Sequence, residues 1–152
     1  MGMNLEDVKA GFPQAVPMVG TLSLGFDDLS PERAVMRLPE QPAYFNHVGG
    51  PHAGAMFTLA ESASGALVLA NFGDRLADAT PLAVEASIRY KKLAMGDVTA
   101  TAVMTRTAEE VLAELDAGGR PEFVVEITIA TDDGTVTGEM TIVWTLKPTR
   151  KK

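Results

Sequence analysis

Asn46-His47-Val48-Gly49-Gly50-Pro51-His52-Ala53-Gly54, and the apolar run that follows it through Glu61 to Asn71, decides the fold. Gly49, Gly50 and Pro51 end a loop. Pro51 suits the first position of a helix, where its missing N–H is not needed. The helix then runs to about Asn71, with Gly73 as its stop. Both histidines of the chain lie in this stretch, and Glu61 interrupts an otherwise oily segment.

The residues on either side alternate as strands do. Leu22, Leu24 and Phe26 share one face of a strand expected over Val19 to Asp27. Ala34, Met36 and Leu38 share another over Arg33 to Leu38, and Asp28, Ser30 and Pro31 turn one into the other. Downstream, Leu82 to Tyr90, Val98 to Thr107, Phe123 to Ile129 and Met140 to Leu146 carry four more strands, with turns at Met95-Gly96-Asp97 and Asp132-Asp133-Gly134. Thr107 with Glu110 forms a capping box, and Gly118 suits a left-handed cap, so a short extra helix is expected near 108–117. Pro13 and Pro17 break the first residues, which permit a short helix near Leu5 to Ala10. The order β-β-α-β-β-β-β describes an α+β fold, a mainly antiparallel six-stranded sheet wrapped around one long central helix.

The 152 residues make one domain over 1–152, with a core of about 19–146 and a flexible basic tail at 147–152. A hydrophobic content of 46% with 22% charged residues fits a folded soluble chain. The net charge of −7 argues against a nucleic-acid binder. The absence of cysteine excludes disulfides, thiolate catalysis and zinc-thiolate sites, and is compatible with a reducing cytoplasm. Met1 to Ala10 carries acids and no apolar run, so no secretory leader is expected. Thr58, Glu61, Ser62 and Ser64 mark the central helix as buried in protein, not membrane.

A carboxylate taken out of water costs several kcal/mol unless it is paired or solvated. Glu61 therefore pairs with an Arg or Lys, faces water, or serves as a functional acid in a cleft; the last is the favoured reading. The helix start supplies complementary chemistry, because its first N–H groups are free and its dipole is positive. Asn46 lies just upstream as a further donor. Glu61 follows His52 by nine residues, about 13 Å along the axis and on the opposite face. If the two features cooperate, the acid comes from a second copy of the chain.

In its element order and in Asn46…Gly50-Pro51-His52-Ala53-Gly54…Glu61, the chain resembles the hotdog-fold acyl-CoA thioesterases, and within them the phenylacetate-type branch. That branch carries an Asn, a Gly-containing stretch, His-Gly-Gly and an acid fifteen positions after the Asn; Asn46 to Glu61 is fifteen. The likeness spans about residues 19–146. It implies hydrolysis of an acyl-CoA thioester by a homodimer or dimer of dimers, without a cofactor. Glu61 would be general base or nucleophile, the Ala53 N–H the carbonyl donor and Asn46 a positioning group. Three positions depart from the branch: Ala53 replaces its first Gly, Glu61 its usual Asp, and Ala83 a Ser or Thr, for which Thr80 is a substitute.

His52, Gly54 and His47 are expected to border the substrate, His52 chiefly as a loop anchor. Arg89, Lys91 and Lys92 close the third strand and Arg106 ends the fourth. They either meet the phosphates of the coenzyme A moiety or form a solvated strand end. No Gly-rich phosphate loop, nucleophile elbow or plausible metal-ligand set is present. The alternatives are a non-catalytic hotdog domain that binds acyl thioesters or another apolar ligand, and a dehydratase-type hotdog protein using one histidine. The expected compartment is the cytoplasm, and neither nucleic acid nor membrane is an expected partner.

Overall fold

The computed structural model describes residues 3–149. Four helices and six strands follow in the order α1 (Leu5–Ala15), α2 (Pro17–Thr21), β1 (Gly25–Leu29), β2 (Ala34–Leu38), α3 (Ala53–Phe72), β3 (Ala79–Tyr90), β4 (Val98–Met104), α4 (Ala108–Asp116), β5 (Glu122–Thr131) and β6 (Val136–Pro148). The strands form one antiparallel sheet in the order β1-β2-β4-β5-β6-β3. One face of that sheet packs on α3, most closely through β2, β4 and β5. This is the hotdog arrangement expected from the element order.

Small side chains bring the sheet close to α3. Ala60, Ala63 and Ala66 are fully buried along it, interleaved with Leu59 and Leu67. By length and composition Ala53–Arg75 could cross a bilayer, yet the sheet and α1 bury more than half of it inside the fold. The sheet side of the core comes from alternate residues of each strand: Ala34, Met36 and Leu38, then Phe123, Val125, Ile127 and Ile129. Phe72 meets Phe123 with ring centroids 5.2 Å apart, closing the core at the C-terminal end of α3.

Several local expectations are corrected. The strand expected from Val19 begins only at Gly25. Pro17 starts a short helix instead, and Ser23, at φ 54°, ends it by placing the Ser23 and Leu24 N–H groups on the Gly20 and Val19 carbonyls. Val19, Leu22 and Leu24 are buried all the same. Their spacing suits one face of a helix turning inward as well as it suits a strand. The first helix continues past Ala10 to Ala15, with Pro13 in its last turn, because Val8 and Phe12 one turn apart bury a face against the core. The N-terminal segment thus belongs to the core, which does not begin at residue 19.

Pro51 precedes the helix cap and is not in the first helical position; His52 is the cap and Ala53 the first helical residue. Gly73 does follow the last residue of α3, but with right-handed φ of −57°, and the chain continues into a further tight turn. β4 stops at Met104, and Thr107 caps α4 by accepting the Glu110 N–H at 3.1 Å. At the other end, β6 extends to Pro148 and Lys147 pairs with Thr80, so the start of the expected tail is sheet. Residues 150–152 of that tail lie outside the described residues.

β3 differs from its neighbours. It is an edge strand of 12 residues, hydrogen-bonded only to β6, and a bulge between Ala83 and Glu85 interrupts its alternation. Most of it is exposed on both faces, including Leu82 and Val84. Long apolar edges of this kind are usually blunted or covered.

At one end of the sheet Arg37 gathers three carboxylates: Asp27 on β1 at 2.8 Å, Asp97 before β4 at 3.3 Å and Asp132 after β5 at 2.7 Å. Each pair is partly exposed and individually weak, but one guanidinium ties three connections. Arg37→Met is expected to lower stability to urea by about 1–2 kcal/mol at low salt. That deficit should narrow in 1 M salt, where the orphaned carboxylates are screened from one another.

Candidate active site

The start of α3 is built by its own loop. The Asn46 side chain accepts the Val48 and Gly50 N–H groups at 3.0 and 3.1 Å and donates to the Pro51 carbonyl at 3.3 Å. Gly50 has no alternative there, since a Cβ would lie 2.4 Å from the Ala94 carbonyl oxygen. His52 donates its backbone N–H to the Tyr44 carbonyl at 2.7 Å, and its Nδ1 accepts the Gly54 N–H at 2.8 Å. The imidazole therefore serves as the helix cap, a loop-anchoring role. The Ala53 N–H has no partner among the described residues.

Tyr90, the last residue of β3, donates its hydroxyl to the Ala53 carbonyl at 2.9 Å. This bond ties the sheet edge to the first residue of α3. A cavity of about 320 Å³ opens there between Asn46, Ala53 and Tyr90 on one side and Lys91 and Lys92 on the other. Lys91 also pairs with Glu139 at 3.1 Å. A free N–H at a helix start, with cations beside it, can polarise a carbonyl and receive an anionic group.

Glu61 occupies a different cavity. It is half-buried in α3 and has neither an ion pair nor a side-chain hydrogen bond among the described residues. Burial pushes its carboxyl above the ordinary value of 4.5. The chamber beside it has a volume of about 260 Å³, and its walls are almost entirely apolar: Phe12 from α1, Val16 between α1 and α2, Gly65 and Leu69 from α3, and Trp144 from β6. Ser62 also lines it, and its buried Oγ has no partner among the described residues. The Trp144 indole donates to the Ser64 hydroxyl at 3.0 Å, which donates in turn to the Glu61 carbonyl at 2.6 Å.

The expected site residues do not all converge. Asn46, Ala53 and Lys91 line the helix-start cavity, while His52 and Gly54 border a groove on another side of the same turn. The Gly54 N–H is taken by His52 and so is not available to a ligand. His47 is exposed on the loop. Arg89 is exposed near the helix-start end of the sheet, opposite Glu139 on β6. Arg106 sits at the other end of the sheet, where it donates to the Glu122 carbonyl and pairs with Glu114, so it cannot join Lys91 on one phosphate group. Thr80 faces away from the Glu61 chamber, because its neighbour Pro81 lines that chamber and side chains alternate along a strand. Tyr90, Trp144 and Phe12 were missed from sequence. Tyr90 and Trp144 sit at apolar positions of periodic strand segments and read as core, and Phe12 falls beyond the helix expected near Leu5 to Ala10.

The family described as "Domain of unknown function (DUF4442)" matches residues 6–146. No curated protein matches the chain. Among solved structures, a Pseudomonas aeruginosa protein of unknown function, described as a probable thioesterase, is 28% identical, with a TM-score of 0.85 over 98% of this chain and 99% of its own. A thioesterase family protein from Silicibacter pomeroyi is 23% identical, with a TM-score of 0.74 over 96% of this chain and 100% of its own. A mutant thioesterase from Pseudomonas aeruginosa is 22% identical, with a TM-score of 0.76 over 98% of this chain and 97% of its own. The last two likenesses establish the fold alone.

The environment of Glu61 can be tested without any substrate. Its raised pKa means that the folded chain holds the proton more tightly than the unfolded chain. Stability therefore falls as pH rises from the ordinary carboxylate value through the raised one. Glu61→Gln is expected to raise the melting temperature by a few degrees at pH 8 and to lose that advantage at pH 4, as read by thermal unfolding at the two pH values.

Proposed function

The chain belongs to the DUF4442 family, and on that premise we propose that it hydrolyses an acyl-CoA thioester at a site shared by two copies of the chain. One observation carries this reading. The free Ala53 N–H and the unpaired Glu61 lie on the same helix in separate cavities, about 12 Å apart along its axis. Neither completes a hydrolytic site alone, and together they supply its two requirements, a carbonyl donor and a base. The thioesterase description of the relative at 28% identity supports the same chemistry.

The exposed edge supports the two-copy arrangement. β3 runs from Pro81, which lines the Glu61 chamber, to Tyr90, which is bonded to the helix start. Two β3 strands paired antiparallel about their middles set the Tyr90 end of one copy beside the Pro81 end of the other. That pairing brings one helix start towards the partner subunit's Glu61 and covers Leu82 and Val84. It also removes the exposed edge.

In this arrangement the thioester oxygen accepts the Ala53 N–H, assisted by the helix dipole. Asn46 and His52 hold that N–H in place through the loop and the cap. Water attacks the carbonyl carbon while the partner subunit's Glu61 takes its proton. The new C–O bond forms, the C–S bond breaks, and the thiolate leaves to be protonated. A thiolate is a good leaving group, so one carboxylate suffices without a triad. Burial makes Glu61 a stronger base than an ordinary carboxylate. Lys91 and Lys92, at the rim of the helix-start cavity, suit the phosphates of coenzyme A.

The test is turnover of a panel of acyl- and aryl-CoA substrates by the purified chain. Glu61→Gln is expected to lower kcat at least about 100-fold. Ala53→Pro deletes this N–H at a position that tolerates proline, and a loss of similar size is expected. The acid limb of kcat/KM should fall above pH 4.5, as the raised Glu61 pKa requires. No turnover across the panel, or turnover unchanged in Glu61→Gln, would overturn the reading.

A further inference from the structure

Tyr90 brings to the helix start a hydroxyl that the fold does not need there. β3 is already held through Tyr90 by its ladder with β6, and the Lys91 and Lys92 N–H groups both reach the Thr137 carbonyl, at 2.8 and 3.1 Å. Ala53 is already fixed as the first residue of a 20-residue helix, behind the His52 cap. Its carbonyl accepts the Tyr90 hydroxyl at 2.9 Å and also faces the N–H one helical turn further on. The tyrosine is thus a second donor to an oxygen that has one without it. A phenyl ring would fill the same space.

Tyr90 also lines the helix-start cavity together with Ala53. By standard backbone dimensions the nitrogen and oxygen of one residue are about 3.6 Å apart. The Tyr90 Oη therefore lies within about 6.5 Å of the Ala53 nitrogen, and closer wherever the three atoms are out of line. One oxygen atom accepting from two donors spans up to about 6 Å. Other donors at this cavity are engaged: the Asn46 amide donates to the Pro51 carbonyl, and Lys91 pairs with Glu139. Burial pushes the Tyr90 hydroxyl above its ordinary value of 10, so it stays a donor throughout the neutral range.

We infer that Tyr90 is a further catalytic residue of the proposed site, its hydroxyl moving from the Ala53 carbonyl to the thioester oxygen to act as a second donor beside the Ala53 N–H. The inference rests on the thioesterase reading, which places that oxygen at the helix start. The hydroxyl keeps its proton throughout and contributes a hydrogen bond that strengthens as the oxygen gains negative charge. The Ala53 carbonyl holds it ready in the free protein and retains its helical partner when the hydroxyl leaves.

Tyr90→Phe removes the hydroxyl and keeps the ring, so its melting temperature is expected to stay within a few degrees of wild type. Its kcat for acyl-CoA substrates should fall at least about tenfold with KM changed less than about twofold. A readout without turnover is the infrared carbonyl band of octanoyl-CoA, isotope-labelled at the carbonyl carbon and bound to the Glu61→Gln protein. Binding should move that band to lower frequency, and adding Tyr90→Phe should remove about half of the shift. Unchanged kcat, a loss carried by KM alone, or an identical band in the two proteins would overturn the assignment. If wild type hydrolyses no thioester while the band still depends on Tyr90, the thioesterase reading fails and the donor assignment stands. If octanoyl-CoA does not bind, both fall.

Discussion

A carboxylate held half out of water in the middle of the core helix, with no cation beside it among the described residues, constrains everything around it. Burial of an unpaired acid is unfavourable for folding, so the rest of α3 has to carry that cost. It does so by burying more than half of its residues: Ala60, Ala63 and Ala66 are fully buried, and Val8 and Phe12 of α1 join the same core. Further along the helix, the chamber beside Glu61 is left unfilled. Stability and the proposed chemistry are thus divided along a single helix.

The N-terminal end of the same helix is organised on the opposite logic, by satisfying most of its polar groups. Asn46 closes the loop with three hydrogen bonds, His52 takes the Gly54 N–H, and Tyr90 holds the Ala53 carbonyl from the sheet edge. The Ala53 N–H remains open beside Lys91 and Lys92. Because Tyr90 ends β3, whatever covers that edge also acts on the geometry of the helix start. A dimer formed along β3 would therefore complete the site and stiffen it in one step.

Much of this was legible in the sequence, because it follows from strong local signals. The loop glycines, the long apolar helix and the alternating strands set the element order, and the fifteen-residue spacing from Asn46 to Glu61 pointed to both parts of the proposed site. What was hidden depended on tertiary contacts. Val19, Leu22 and Leu24 satisfy a strand pattern, but Pro17 and Ser23 turn them into a short helix and its cap. Arg106 and Lys91 look alike as strand-end cations, and only the strand directions put them at opposite ends of the sheet. Phe12, Tyr90 and Trp144 carry no signal apart from hydrophobicity, yet they define the chamber and anchor the helix start.

The central claim is that a working site draws its donor and its base from different copies of the chain. Mixing two inactive proteins tests this most directly: Glu61→Gln, which keeps the helix start, and Ala53→Pro, which keeps the carboxylate. After unfolding and refolding together, half of the dimers are mixed and each holds one site with both groups intact. The expected result is recovery of about one quarter of wild-type thioesterase activity. Activity that stays at the level of the two variants alone would contradict a shared site.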